Sequence, residues 1–359
     1  MQINFSNPEQ QTLFFTIVFL LTLILTIKKK PGDFFGLSQT NELKGFAMLA
    51  IIFSHIGYFL VTGQKFLYPL SILAGVGVNL FLFLSGYGLT FSSIKNPQGI
   101  ISFYKRRLEK LLIPFWITLL IFFLLDLFLL NRSYDLKYIL QSFFGFFPRA
   151  DLFIDLDSPL WYFTAILFYY LIFPLIFIKR FPFISAILIY ILSLELLNIN
   201  LPINKDVITI YKLHTIAFPL GMIAAYLFLK FHRIEYISKL KIKWVFLPIL
   251  IIIFLYYSIH SGVGEKPIVE QSISALVLVC ILFIFILKNF KFSFLEFFGL
   301  YSYEIYLIHW PILSRFDIFY KYLPPFLATY FYLGFFLVIA FVLTKSINFA
   351  EQQLIKEKN

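Results

Sequence analysis

The sequence predicts an all-α fold, a polytopic transmembrane bundle of about eleven helices, and three observations predict it. Of 359 residues, 60% are hydrophobic and 14% charged, with a mean hydropathy of +0.86, whereas a soluble domain carries about 25% charged residues. Apolar runs of about 18 to 24 residues recur along the whole chain, each long enough to cross a ~30 Å hydrocarbon core. The basic residues alternate in density between successive connections, as the positive-inside rule requires.

The first span, 10–27, is apolar from Thr12 to Ile27, lacks a basic leader and is followed by Lys28, Lys29 and Lys30. That charge order suits an uncleaved helix with its N-terminus outside rather than a signal peptide. The remaining spans are 45–62, 70–91, 108–130, 159–179, 182–199, 208–231, 243–260, 268–288, 294–314 and 325–348. Every connection is short except 131–158, and there is no internal repeat, low-complexity linker or second domain. With the N-terminus outside, the inner connections and tail hold 21 of the 30 basic residues. The outer 131–158 connection is acidic, with Asp135, Asp151, Asp155 and Asp157. The net charge of +11 is therefore topological, and no nucleic-acid partner is expected. The single Cys280 forms no internal disulfide and does not report a redox compartment.

Four stretches are not explained by membrane insertion alone. In "NELKGFAMLAIIFSHIGYF" (41–59), Lys44 and His55 are eleven residues apart, about three turns, and share a helix face about 16 Å apart. Lys44 can snorkel to water at the inner boundary, which places His55 near the midplane. Burial disfavours charged imidazolium, so a neutral, proton-accepting ring is expected there. The residues alone leave a functional base and a structural histidine bonded to a neighbouring helix equally open. "FLFLSGYGLTF" (81–91) places Ser85, Gly86 and Gly88 in a small, close-packing patch, which helix packing also explains. "FYKRRLEKLLIPFW" (103–116) is a basic cluster at an inner helix end, suited to phosphate or to anionic lipid. "FFGLYSYEIYLIHWPIL" (297–313) places Ser302, Tyr306 and His309 on one face, with Glu304 a costly intramembrane carboxylate. Asp126, Glu195 and His214 are further intramembrane or rim groups toward the outer side, and Trp161 and Trp310 read as interfacial aromatics. The sequence has no phosphate-binding loop, paired-histidine zinc motif, cysteine cluster or Gly-x-Ser-x-Gly elbow. A nucleotide-driven pump and a metalloprotease are therefore disfavoured, and no metal site is assigned.

Together, in order and spacing, these pieces resemble acyltransferase family 3, membrane O-acyltransferases acting on surface glycans, over roughly residues 40 to 348. "KGFAMLAIIFSH" is similar to the family's Arg-x10-His arrangement, with Lys44 for the arginine. Arg107-x-x-Lys110 followed by "LLIP" is similar to its Arg-x-x-Arg piece. "PLWYFTAILFYYLIFP" (159–174), "FPLGMIAAY" (218–226) and "SYEIYLIHWPIL" (302–313) resemble family segments in the right order. The two Lys-for-Arg changes keep charge and lose the bidentate fork.

The resemblance implies two regions: 1–40, an N-terminal accessory transmembrane helix and basic loop, and 41–359, an integral-membrane acyltransferase domain with a ten-helix core. It implies transfer of an acyl group, commonly acetyl, from cytoplasmic acyl-CoA to a hydroxyl of an extracytoplasmic polysaccharide or lipid-linked sugar. Acyl-CoA is then a donor substrate, with no permanently bound cofactor, and the protein sits in the cell (inner or plasma) membrane among lipids with its C-terminus cytoplasmic. The essential histidine carries over to His55. The expected catalytic set is His55, Ser85, Tyr306, His309 and Glu304, and the donor-binding set is Lys44, Arg106, Arg107 and Lys110. His55 would act as general base, with Ser85 or Tyr306 donating to the developing oxyanion. Direct transfer ranks above a relay through His55 or Ser85. The rival class is a multi-pass transporter or flippase of lipid-linked sugars, with His55, Glu304 and His309 on a proton path; the inverted repeats that would support it are not visible.

Overall fold

The computed structural model describes residues 3–29, 35–149, 158–231, 243–264 and 266–356. Lys30, Asp151, Asp155, Asp157, Arg233, Lys239, Lys241 and Lys358, which contribute to the charge pattern, lie outside the described residues.

The chain is a helical bundle. Its helices are α1 (Pro8–Leu25), α2 (Leu37–Ser54), α3 (Ala74–Lys95), α4 (Ile100–Leu130), α5 (Leu136–Phe143), α6 (Trp161–Ile176) and α7 (Pro182–Leu196). They continue as α8 (Lys205–His214), α9 (Ala217–Lys230), α10 (Lys243–Tyr257), α11 (Pro267–Leu287), α12 (Ser293–Leu300), α13 (Ser302–Arg315) and α14 (Pro325–Lys356). Seven helices among the described residues are long and apolar enough to cross a membrane, and three more are shorter and apolar.

Each predicted span has a helical counterpart, and two are not single rods. The 208–231 span is divided at Thr215–Ile216 into α8 and α9. The 294–314 span breaks at Tyr301, whose φ of −109° and ψ of 14° leave the helical region. At that break the Ser302 hydroxyl donates to the Gly299 carbonyl at 3.0 Å, satisfying an acceptor at a helix end. The 131–158 connection also carries the short helix α5, capped by Asp135, whose carboxylate accepts from the Tyr138 amide at 2.6 Å. Trp310 is fully buried rather than interfacial, because α13 is packed on all sides.

Two glycine pairs set the bundle's closest crossings. A Cβ on Gly45 of α2 would lie 1.9 Å from the Leu295 carbonyl oxygen, and one on Gly299 of α12 would lie 1.8 Å from that of Asn41. Similarly, a Cβ on Gly86 of α3 would lie 2.2 Å from the Phe218 oxygen, and one on Gly221 of α9 would lie 2.0 Å from that of Phe83. The helices meet backbone to backbone, as membrane helices do when small residues line their contact.

On the side expected to be inner, strand β1 (Ile27–Lys29) pairs antiparallel with β2 (Phe290–Phe292), tying the end of α1 to the start of α12. Beneath this ribbon the Lys288 ammonium donates to Glu42 at 2.5 Å, and the same carboxylate oxygen accepts from the Phe292 amide at 2.6 Å. Both side chains are buried; losing either partner would strand a charge at a cost of about 3–5 kcal/mol. Phe15 of α1 is fully buried and meets Phe53 of α2 edge-on, so α1 packs on the bundle.

The glycine crossings predict a contrast. Ala at Gly221 or Gly299 should overpack the bundle by about 1–3 kcal/mol and lower the thermal midpoint of the purified protein. Ala at Gly88 or Gly334, where a Cβ meets nothing within 4 Å, should leave it unchanged. Equal midpoints in both groups would show that the crossings are looser than described.

Candidate active site

The α2 rod changes pitch at the histidine. His55–Leu60 is a π-helical segment, closed by the Val61 amide donating to the Ile56 carbonyl at 2.9 Å. Such widened turns are uncommon and are frequent at functional sites. His55 is buried at the start of this segment, with Trp310 and Phe59 rings about it.

His309 of α13 reaches it. His55 Nδ1 and His309 Nε2 are 2.8 Å apart, and the rings lie parallel to within 4°. The other nitrogen of His309, Nδ1, faces the carbonyl oxygens of Tyr306 at 2.8 Å and Ile305 at 3.1 Å. Carbonyls only accept, so His309 Nδ1 carries hydrogen. In a neutral ring its Nε2 is then bare and must accept from His55 Nδ1–H. The remaining His55 nitrogen, Nε2, is therefore the bare, proton-accepting one. The chain of donors runs from His55 through His309 to the α13 backbone and fixes both tautomers.

A separate cavity of about 290 Å³ opens between α2, α3, α4, α6, α12 and α13. It gathers Lys44, Ser85, Arg107, Lys110, Glu304 and Tyr306, six of the nine candidate residues. Arg106 is exposed and does not line it. Arg107 also donates to the Ser92 hydroxyl at 3.1 Å. Lys44 and Glu304 interact electrostatically across the cavity, giving the costly carboxylate an opposite charge.

His55 and His309 do not line this cavity. Tyr306 stands between the two features in the chain: its ring lines the cavity, its carbonyl holds His309, and the two ring centroids are 6.2 Å apart. The Tyr306 hydroxyl donates to the Pro159 carbonyl at 2.9 Å, so its one hydrogen is committed. Ser85 instead meets the hydroxyls of Tyr162 and Tyr170. These two, with Tyr303, whose hydroxyl donates to the Leu111 carbonyl, were missed by sequence reasoning. The signal for Tyr162 and Tyr170 is the aromatic density of "WYFTAILFYY", shared with ordinary interfacial helices, while Tyr303 lies inside "SYEIYLIHWPIL" between the residues singled out there.

The acyltransferase family 3 model, described as an acyltransferase domain, matches residues 41–345. The chain belongs to acyltransferase family 3. No curated protein and no solved structure matches it. The match to this acyltransferase starts three residues before Lys44, spans all nine candidate residues and leaves α1 outside. The helical bundle and the family together describe a membrane-embedded acyltransferase.

The tautomer assignment is testable by nitrogen-15 spectra of histidine-labelled protein at neutral pH. His55 should show a protonated Nδ1 and a bare Nε2, and His309→Leu should release that preference so that both tautomers appear. A His55 ring bearing hydrogen on Nε2 in the unaltered protein would contradict the assignment.

Proposed function

We propose that this acyltransferase is an O-acetyltransferase that moves acetyl from cytoplasmic acetyl-CoA to a hydroxyl of an extracytoplasmic polysaccharide or lipid-linked sugar, with His55 as general base. The observation that carries this reading is the bare Nε2 of His55, fixed by His309, which is itself held by Tyr306 in the wall of a cavity edged with cations. A sugar hydroxyl is a poor nucleophile until its proton is taken. The neutral His55 Nε2 accepts that proton as the oxygen attacks the thioester carbonyl. The imidazolium that forms keeps its Nδ1–H bond to His309, which stabilises the charge in an apolar setting. The tetrahedral intermediate then collapses, the C–S bond breaks, and the proton on Nε2 leaves with the CoA thiolate.

The oxyanion needs a donor in a dry site. Ser85, grouped with Tyr162 and Tyr170, supports that role better than Tyr306, whose hydrogen is held by Pro159. The hydroxyls that Ser85 meets are not bases at neutral pH, which favours direct transfer over a seryl relay. Lys44, Arg107 and Lys110 supply charge for the CoA phosphates. The same reading has the N-terminus outside, the C-terminus cytoplasmic and the protein in the cell membrane, in keeping with the 21 of 30 basic residues on the inner side.

Purified protein given labelled acetyl-CoA and an extracytoplasmic glycan should release CoA as the glycan gains the label. Because phosphate contacts contribute mainly uniform binding, Arg107→Gln and Lys110→Gln should each raise the KM for acetyl-CoA about tenfold with little change in kcat. Arg106→Gln should raise it far less. Equal effects at Arg106 and Arg107 would separate donor binding from this cavity, and absence of CoA release would defeat the reading.

A further inference from the structure

Two cavities on the far side of α6 from the donor cavity meet in one site that the acyl-transfer reading does not use. The first is a polar cleft of about 550 Å³ between α5 with its following segment and the 201–204 turn. Its wall includes Lys137, Tyr138, Gln141, Arg149 and Asn204. The second is an apolar pocket of about 340 Å³ whose wall includes Trp161, Ala165, Phe168, Tyr169 and His214. Leu201 and Ile203 line both, so the polar cleft and the apolar pocket adjoin at these two side chains.

The polar end is positively biased. Asp135 serves as the cap of α5, and Lys137 and Arg149 form no ion pair with another described residue. An arginine and a lysine converging on one cleft suit a phosphate group. The helix α5 exposes Leu136, Leu140 and Phe143 beside Lys137 and Gln141, the arrangement of a helix lying in a membrane interface.

The apolar end holds one prepared acceptor. His214 is buried, and its Nδ1 lies 2.8 Å from Asn79 Oδ1, while the Asn79 amide nitrogen donates to Ser261 at 3.2 Å. The Ser261 hydroxyl gives its own hydrogen to Ser274 at 3.3 Å and so accepts from the Asn79 amide nitrogen, which leaves His214 Nδ1 the donor and neutral Nε2 bare. Nε2 has no hydrogen-bond partner among the described residues, and His214 forms part of the pocket wall. A pocket of this size, apolar with one placed polar atom, is a ligand site in form.

We propose that this outer site binds a single-chain membrane amphiphile with a phosphate-bearing head. The chain occupies the apolar pocket along α6, the phosphate meets Lys137 and Arg149, and a hydroxyl near the junction donates to His214 Nε2.

The test uses full-length protein in phosphatidylcholine nanodiscs and labelled dodecyl phosphate, with empty nanodiscs measuring simple partition. Saturable binding, one per protein, is expected. Ala165→Trp fills the apolar pocket and should weaken binding at least about tenfold; Ile203→Trp should do the same from the 201–204 turn, with an unchanged thermal midpoint showing that each variant folds. Lys137→Gln with Arg149→Gln should weaken dodecyl phosphate about tenfold and leave displacement by uncharged dodecyl maltoside unchanged. Uptake equal to that of empty nanodiscs, or normal binding by both tryptophan variants, would overturn the site. Displacement by equimolar inorganic phosphate would overturn the amphiphile and leave a free-anion site. Binding is read without turnover, so the result stands apart from the acyl-transfer assignment.

Discussion

The hydrogen bond between His55 and His309 joins residues 254 positions apart, and the surrounding architecture makes it possible. Helix α13 reaches the π segment of α2 only because the chain breaks at Tyr301, and α12 before that break lies against α2 through Gly45 and Gly299. In hydrocarbon an unpaired imidazole N–H or backbone carbonyl has no water to turn to, at a cost of about 1–3 kcal/mol. Pairing the rings removes that cost at three nitrogens and leaves the fourth, His55 Nε2, unpaired. That bare nitrogen is the atom the proposed base would use.

The same economy governs the other buried polar groups. Asp126 accepts from Arg315 at 2.6 Å and from Tyr134, closing the C-terminal ends of α4 and α13. Glu42 and Lys288 close the bundle beside the β1–β2 ribbon. The first pair anchors the C-terminal end of α13 to α4, and the second ties α2 to the segment that leads into α12. Lys44 and Glu304 differ from these pairs in lining a cavity, where their charges remain available to a ligand.

Much of this was legible in the sequence. Long apolar runs with basic flanks define the spans without reference to packing, and an ionisable group inside a span marks a residue that composition does not explain. The break at Tyr301 was not drawn, because the polar residues around it, Ser302 and Glu304, read equally well as site residues on one continuous helix. Arg106 and Arg107 are adjacent and point about 100° apart on a helix, so only one can face a given cavity; the sequence gives no phase to choose between them. Lys110, three residues after Arg107, shares its face, as the cavity shows. The link between His55 and His309 was also hidden, since each residue is conspicuous on its own helix and nothing local pairs them. Tyr162 and Tyr170 were lost among 22 tyrosines and 49 phenylalanines.

The most direct test of His55 as the base compares acyl transfer and protein level for His55→Gln and His55→Ala. Glutamine keeps a hydrogen-bonding side chain facing His309 but does not take up a proton. A base predicts well-inserted protein in both variants with transfer reduced about 10²–10⁴-fold, and almost no rescue by glutamine. Near-normal transfer by His55→Gln, with low levels of the alanine variant, would make the residue structural and contradict the account.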